Sequence, residues 1–110
     1  MMRIDAWFLA TQPVDMRCGM DSLLGRVVAV FGAAQAHTAY AFANLRANRM
    51  KVLIHDGFGL WLCTRRLHES SLHWPNGEQP HISLNAQQWQ ALTVGLPWRK
   101  LGSQMSITVT

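Results

Sequence analysis

The chain has 110 residues, the size of one compact domain, and a domain of this length buries a core without needing disulfides or metals. Apolar residues make up 49% and charged residues 15%, which excludes a disordered protein, and no apolar run approaches the roughly 20 residues that cross a bilayer. The formal charge is +4 and most of the basic residues are arginine, so a nucleic acid is an allowed partner that charge alone does not require.

The N-terminus and the cysteines predict a cytoplasmic protein. Asp5 interrupts the N-terminal segment and no long apolar stretch follows it, so a secretory signal peptide is not expected. Cys18 and Cys63 are then expected to be buried free thiols, because disulfides are rare in the cytosol. Residues 1–101 are predicted to form a single domain, and residues 102–110 a polar tail in which Ile107 and Val109 fit an additional edge strand.

The first part of the chain predicts a strand, a helix and a second strand. Residues 6–10 are apolar, and Pro13 ends this strand. A helix follows, because five apolar residues recur at the spacing of one helical face, and Gly32 lies where glycine commonly ends helices. The face consists of Met20, Leu23, Leu24, Val27 and Phe31. Residues 38–43 then alternate in the manner of a strand, with Tyr40 and Phe42 on one side.

A β-hairpin is predicted in the middle of the chain. Residues 51–55 form an apolar strand, and Asp56 and Gly57 after it are a strong turn signal. Residues 60–64 form the returning strand. Trp61, within it, is expected to lie in the core because large aromatic side chains usually do.

The last predicted elements are a strand and a helix. Residues 72–74 read as a strand that a proline ends, with Trp74 in the core. A second helix is predicted to begin near Ser83 and to end at Gly95 or at Pro97. Its apolar face consists of Trp89, Leu92, Thr93 and Leu96. Together the elements predict an α+β domain, in which an antiparallel β-meander sheet carries two amphipathic helices on one of its faces.

The sequence predicts no metal site, no cofactor and no catalytic centre. The five histidines form no His-x-His pair, and the two cysteines form no Cys-x-x-Cys pair, which zinc sites usually show. No Gly-x-Ser-x-Gly elbow occurs, and Gly57-Phe58-Gly59 fits a hairpin loop rather than a phosphate loop. Asp15 and Asp21 flank the start of a helix and Asp56 belongs to a turn, so no set of carboxylates converges as a two-metal nuclease requires. We expect a non-enzymatic protein.

Five basic residues are predicted to lie at one end of the hairpin. They are Arg46, Arg49, Lys51, Arg65 and Arg66. The turn at Asp56 brings the start of one strand beside the end of the other, and Glu69 is the acid nearby. Such a cluster fits a phosphate-binding patch. Edge-strand charge that blocks association between sheets explains it equally well, and spacing does not separate the two.

Three segments, taken together, resemble one known family. Residues 14–23 are similar to an Asp-Met-Arg-x-Gly segment that leads into a helix, and residues 50–62 are similar to a Lys-hydrophobic-Leu-x-x-Asp-Gly-x-Gly hairpin. Arg65-Arg66-Leu67, followed by Trp74-Pro75, resembles a basic-Arg-Leu segment with a later Trp-Pro pair. The family is that of the TnpB accessory proteins of bacterial insertion sequences of the type numbered sixty-six, which are unrelated to the RNA-guided nuclease of the same label.

The resemblance covers residues 6–75 and continues more weakly to Trp98. It implies a protein that is encoded beside a DDE transposase and a second small accessory protein and takes part in transposition. DNA binding is commonly assumed for the family. This chain departs from the pattern at Cys18, where lysine is common, at His55, where an aromatic residue is usual, and at residues 68–71, which replace a more basic turn.

The leading hypothesis is a non-catalytic accessory factor that binds the element ends, the transposase, or both. Phosphates would be contacted by Arg46, Arg49, Lys51, Arg65 and Arg66, with Arg17 extending the patch. The alternative is a pure protein-interaction module without direct DNA contact, in which the same arginines meet an acidic face of the transposase.

Overall fold

Five strands and two helices form in the computed structural model, which describes residues 2–101. In chain order they are β1 (Ala6–Ala10), α1 (Met20–Phe31), β2 (Thr38–Ala43), β3 (Arg49–His55), β4 (Leu60–Arg66), β5 (His81–Leu84) and α2 (Ala86–Thr93). Neither helix of the described part is long and apolar enough to cross a membrane. The tail predicted for residues 102–110, with its strand at Ile107 and Val109, lies outside the described residues.

The sheet is mixed, so the antiparallel sheet predicted from the sequence is wrong. Its strand order is β4-β3-β2-β1-β5, in which β1 and β2 are parallel and the other neighbours are antiparallel. The reason is α1, which connects β1 to β2 and carries the chain back to the end of the sheet where β1 began. The central strand β2 is buried at all six positions, because both faces of the sheet are covered there.

The two helices lie on opposite faces of the sheet, which corrects the prediction that both cover one face. On the α1 face, Leu23 and Val27 are fully buried against a cluster that includes Tyr40 and Leu53. The other three residues of the predicted helical face, Met20, Leu24 and Phe31, are half-buried at its margins. On the α2 face, Leu92 is fully buried in a second cluster. The alternation of side chains along each strand supplies both cores.

The second helix begins later than predicted, because residues 81–84 are a strand. This strand, β5, pairs with β1, and Phe8 lies opposite Ser83. The N-cap of α2 is Asn85, whose side chain accepts a hydrogen bond from the Gln88 backbone N–H, while the Gln88 side chain accepts one from the Asn85 N–H. This reciprocal pair satisfies two donors that the first turn leaves free. Leu96 lies beyond the helix end and is exposed.

The strand predicted at residues 72–74 is absent. Residues 67–80 connect β4 at one edge of the sheet to β5 at the other, so they cross the strands instead of pairing with one of them. The Leu72 N–H donates to the Ala47 carbonyl, and the Trp74 indole N–H donates to the Ala10 carbonyl at 2.9 Å. Leu72 is buried and Trp74 half-buried, so the segment contributes to the core without being a strand.

The predicted hairpin is present, with β3 and β4 joined at Asp56 and Gly57. Gly57 has a φ of +94°, a backbone conformation that favours glycine, and a Cβ there would lie 3.1 Å from the His37 ring, which would have to shift slightly. The Asp56 carboxylate accepts hydrogen bonds from the Phe58 and Gly59 N–H groups and from the Trp61 indole. These bonds lower the pKa of Asp56 to about 2.

Two side chains of β4 depart from the sequence prediction because this strand is an edge of the sheet. Trp61, expected in the core, is 50% exposed, and Cys63, expected to be a buried thiol, is exposed. Cys18 is half-buried, and both thiols are free. An edge strand has a neighbour on one side alone, so its side chains are covered less than those of β2.

Candidate nucleic-acid interface

The predicted cations lie at one end of the sheet. We call it the basic end: it is where β1, β2 and β4 finish, at Ala10, Ala43 and Arg66, and where β3 begins, at Arg49. Arg49 stands directly opposite Arg66 in the β3–β4 ladder, and Lys51 stands opposite Thr64.

The alternation of side chains divides the cluster between the two faces of the sheet. Arg49, Lys51 and Arg66 share the α1 face with Leu53, whereas Arg65 pairs with Met50 and shares the α2 face. Arg66 is exposed and Arg49 half-buried. The predicted patch is therefore not one surface: Arg65 lies on the opposite face of the sheet from Arg49, Lys51 and Arg66.

Arg49 and Arg66 are like charges held directly opposite each other. Such a pair destabilises a sheet unless an anion lies between the charges or a counterion is close. Within residues 2–101 the ion pairs are Arg3–Asp5 and Arg17–Asp15, and neither involves these two arginines. The two guanidinium groups are thus available to an external anion.

Arg46 is exposed in the turn between β2 and β3, at the same end of the sheet. Asn44 shapes this turn, because its side-chain oxygen accepts hydrogen bonds from the Asn48 and Arg49 N–H groups. The Asn44 amide in turn donates to the Asn48 side chain at 2.7 Å. The turn is therefore a defined platform for Arg46 beside the Arg49–Arg66 pair.

Two of the predicted phosphate contacts already have hydrogen-bond partners in the fold. The Lys51 ammonium donates to the Cys18 carbonyl at 2.7 Å and ties the segment before α1 to β3. The Arg65 guanidinium donates to the Thr93 carbonyl at the C-terminal end of α2, where the helix dipole favours a cation. Arg65 therefore stabilises the packing of α2, a role that the sequence did not indicate.

Arg17 is paired with an acid at 2.7 Å, the carboxylate of Asp15. The hydrogen bonds from the Arg17 side chain and backbone, together with smaller contributions from the charges of Arg17 and Lys51, lower the pKa of Asp15 to about 2. Asp15 thus carries a negative charge beside the predicted patch, where the sequence had indicated Glu69 as the acid nearby. Arg17 extends the patch as part of an ion pair rather than as a free cation.

A second basic and aromatic group lies at the same end of the sheet and was missed from the sequence. Arg99 and Lys100, both exposed, line a cavity together with Trp74 and Trp98. The Trp74 indole is bonded to Ala10, the last residue of β1, and Trp74 and Trp98 pack in the same cluster as Leu92 of α2, so the cavity lies on the α2 side of the basic end. The available signal was the run Trp98-Arg99-Lys100, which follows the second helix.

Metal ligands do not gather anywhere in the described part of the chain: no three histidine, cysteine, aspartate or glutamate side chains come close enough to hold an ion.

The comparison with protein families decides which group this arrangement belongs to. The model of the family described as IS66 Orf2 like protein matches residues 5–103, nearly the whole chain. The chain belongs to this family. The resemblance read from the three sequence segments is thereby confirmed, and membership implies an accessory role for this Orf2-like protein in the transposition of an insertion sequence.

Two curated relatives are similar to this Orf2-like protein along most of their length. The uncharacterized protein y4hO of Sinorhizobium fredii is 33% identical over 93 residues, which cover 84% of this chain and 81% of the relative. The uncharacterized protein y4jC of the same organism is 28% identical over 94 residues, which cover 84% of this chain and 80% of that relative. No solved structure matches the chain.

Proposed function

We propose that this IS66 Orf2-like protein is a non-catalytic accessory factor that binds the DNA of the element ends through the basic end of its sheet. The observation that carries the proposal is the Arg49–Arg66 pair, in which two like charges face each other without an ion pair among the described residues. A DNA phosphate between the two guanidinium groups would relieve their repulsion and accept hydrogen bonds from both.

The neighbouring cations differ in how much they are expected to contribute to DNA binding, because some of them already have partners within the fold. Arg46 is exposed on its turn and supplies a third cation at the same end. Lys51 and Arg65 already donate to backbone carbonyls, and Arg17 is paired with Asp15. We therefore expect these three residues to raise the positive electrostatic potential of the surface rather than to contact phosphates directly.

Three of the six acidic residues already have partners in the fold, which supports a role without catalysis. Asp56 is occupied by three hydrogen bonds in the hairpin turn, and Asp15 is occupied by Arg17. Asp5 is paired with Arg3. Purified protein should therefore leave supercoiled plasmid uncut in the presence of Mg²⁺. Metal-dependent cleavage that disappears in Asp15→Asn or Asp56→Asn would contradict the proposal.

The binding test is a gel-shift titration with duplexes of the element's terminal inverted repeats and with scrambled duplex, repeated over a range of salt concentrations. Replacing Arg49 and Arg66 together with alanine should weaken binding to every sequence. The slope of log affinity against log salt should become shallower by about two units, because each phosphate contact contributes about 0.9.

The matched control is the double replacement Arg3→Ala and Arg26→Ala, which removes the same charge away from the Arg49–Arg66 pair. It should preserve most of the slope. An unchanged slope in the Arg49 and Arg66 variant would remove these residues from the DNA contact. Arg65→Ala is measured separately, because its loss also frees the end of α2.

A protein-interaction module is the second candidate function, and the β4 edge of the sheet favours it. Phe58 is 100% exposed at the hairpin tip and Trp61 is 50% exposed beside it, on a strand with one open edge. Exposed aromatic residues are typical anchors of protein interfaces. Retention of the cognate transposase by the purified protein after nuclease treatment, lost with Trp61→Ser, together with no DNA binding at low salt, would support this candidate over the first.

A further inference from the structure

The second basic and aromatic group lines an open cavity of about 650 Å³, which is within the size range of sites for small organic ligands. Segment 73–76 of the crossing connection forms one side and segment 97–101, after α2, forms the other. Its lining residues are His73, Trp74, Asn76, Pro97, Trp98, Arg99, Lys100 and Leu101. None of these residues is acidic.

The walls of the cavity are held in place by hydrogen bonds. The Trp98 indole donates to the His73 carbonyl at 2.6 Å, which joins the two sides, and the Trp74 indole donates to the Ala10 carbonyl at 2.9 Å. The Gln88 side chain of α2 donates to the Trp98 and Arg99 carbonyls, both at 3.4 Å. The cavity is thus formed before a ligand arrives, which lowers the entropic cost of binding.

The charge at its rim is positive and unopposed. The Arg99 guanidinium lies over the Trp98 ring, 5.4 Å from the ring centre, and this cation–π contact holds it beside the cavity. Lys100 is exposed next to it, and neither side chain takes part in the ion pairs found within residues 2–101. The half-buried Trp74 presents an aromatic surface that is not sealed from solvent.

We infer that this cavity binds an unpaired nucleotide of single-stranded DNA, with the base against Trp74 and the phosphate on Arg99 and Lys100. Aromatic surface and cations at short range are the combination that recognises a base and its phosphate without regard to sequence. A paired base inside duplex DNA cannot enter such a cavity, so the site selects frayed or single-stranded positions.

The inference deepens the proposed function and rests on it in one respect: the strand is taken to belong to the element DNA. The cavity lies on the α2 side of the basic end, where Trp74 is bonded to the last residue of β1. Duplex held by Arg49 and Arg66 and an unpaired nucleotide held in the cavity would thus approach the protein at one end of the sheet.

The test compares three labelled probes by fluorescence anisotropy with the full chain: a single-stranded oligothymidylate, a blunt duplex, and the same duplex with a single-stranded overhang. The double replacement Arg99→Gln and Lys100→Gln should weaken oligothymidylate binding at least about tenfold and flatten its salt slope by about 1.4 units. It should abolish the gain that the overhang gives over the blunt duplex and weaken blunt-duplex binding no more than the control does. The control, Arg3→Gln with Arg26→Gln, removes equal charge elsewhere.

The outcomes separate this inference from the proposed function. Blunt-duplex binding that depends on Arg49 and Arg66, with no gain from the overhang or a gain that survives in the Arg99 and Lys100 variant, overturns the inference and leaves the proposed function standing. Oligothymidylate binding that depends on Arg99 and Lys100, without duplex binding, supports the inference and removes the duplex-binding part of the function. Thymidine monophosphate is added as a competitor at the same nucleotide concentration as the oligothymidylate. If it displaces the oligothymidylate, the cavity binds a free nucleotide, and the inference that it binds single-stranded DNA is overturned.

Discussion

At the scale of single residues, the Arg49–Arg66 pair is expected to lower the stability of the fold while it favours the proposed binding of DNA. The ladder between β3 and β4 places the two arginines opposite each other, and like charges in that position cost about 0.2–1 kcal/mol. A sequence selected for stability alone would place an acid at one of the two positions. The proposed function explains the pair by a phosphate that lies between the two guanidinium groups.

Replacing Arg66 with glutamate should raise the free energy of unfolding, by about 0.2–1 kcal/mol, because an opposite-charge pair replaces a repulsive one. The same change should weaken binding to DNA. Urea unfolding measures the first effect and gel shift the second, with Arg26→Glu as the control on exposed α1 surface. A less stable variant would show that the two side chains do not repel each other. A variant that binds DNA as well as the original protein would show that Arg66 does not contact a phosphate.

Asp56 makes the stability of the fold depend on acid. Its pKa is lowered from 3.8 to about 2 by hydrogen bonds from Phe58, Trp61 and Gly59, so the folded chain favours the charged carboxylate. Its contribution is complete above pH 3.8 and is lost as the pH falls toward 2, because the unfolded chain takes up the proton first. Asp15, whose pKa is also about 2, acts in the same direction.

Asp56→Asn should accordingly flatten the fall in unfolding free energy between pH 4 and pH 2, and adding Asp15→Asn should flatten it further. Urea unfolding at a series of pH values measures this slope. Glu69→Gln, at an exposed position of the crossing connection, is the control and should keep the original slope. An equal slope in all variants would mean that other carboxyl groups cause the acid dependence.

At the scale of elements, α1 depends on two of its five predicted apolar residues more than on the rest. Leu23 is fully buried, while its neighbour Leu24 is half-buried at the margin of the same cluster. Leu23→Ala should lower the free energy of unfolding by about 2–5 kcal/mol, because it leaves a cavity in a closed core. Leu24→Ala should cost less. Urea unfolding of the pair tests this order, and a larger loss with Leu24 would place the helix in a different rotation.

The elements that sequence predicted best are those whose signals are local. The apolar spacing of α1 and the Asp56-Gly57 turn of the β3–β4 hairpin depend on residues a few positions apart. The start of α2 differs from the prediction although its signal is also local: Asn85 and Gln88 have the spacing of a capping box, whereas Ser83 has only the residue type of an N-cap. Strand β5 was not predicted, because it is defined by its pairing with the distant strand β1, which leaves no pattern in the nearby sequence.

At the scale of the whole molecule, the arrangement of the layers was less predictable than the elements. The succession of β1, α1 and β2 is a strand–helix–strand unit, which commonly gives parallel strands, and this order was visible in the sequence. The placement of α2 on the second face was not, because the apolar stripe of a helix does not say which face of a sheet it covers.

The candidate interface divides in the same way. The register of one hairpin put Arg49 beside Arg66, and this followed from a local turn. The partners of Lys51 and Arg65 are distant in the chain, at Cys18 and Thr93, so their structural roles were hidden. The cavity between segments 73–76 and 97–101 exists because the crossing connection lies beside the segment that follows α2, which no local pattern encodes.

The pairing of β1 with β5 has a consequence for folding during synthesis on the ribosome. Strand β1 is made well before β5, the neighbour that ends at Leu84. Synthesis at about 5–20 residues per second separates the two by roughly 4 to 15 s, during which one side of an apolar strand has no partner. Contacts between distant segments also slow folding in general. The nascent chain thus carries an open strand until residues 81–84 have been made, and until then this strand is exposed to pairing with another chain.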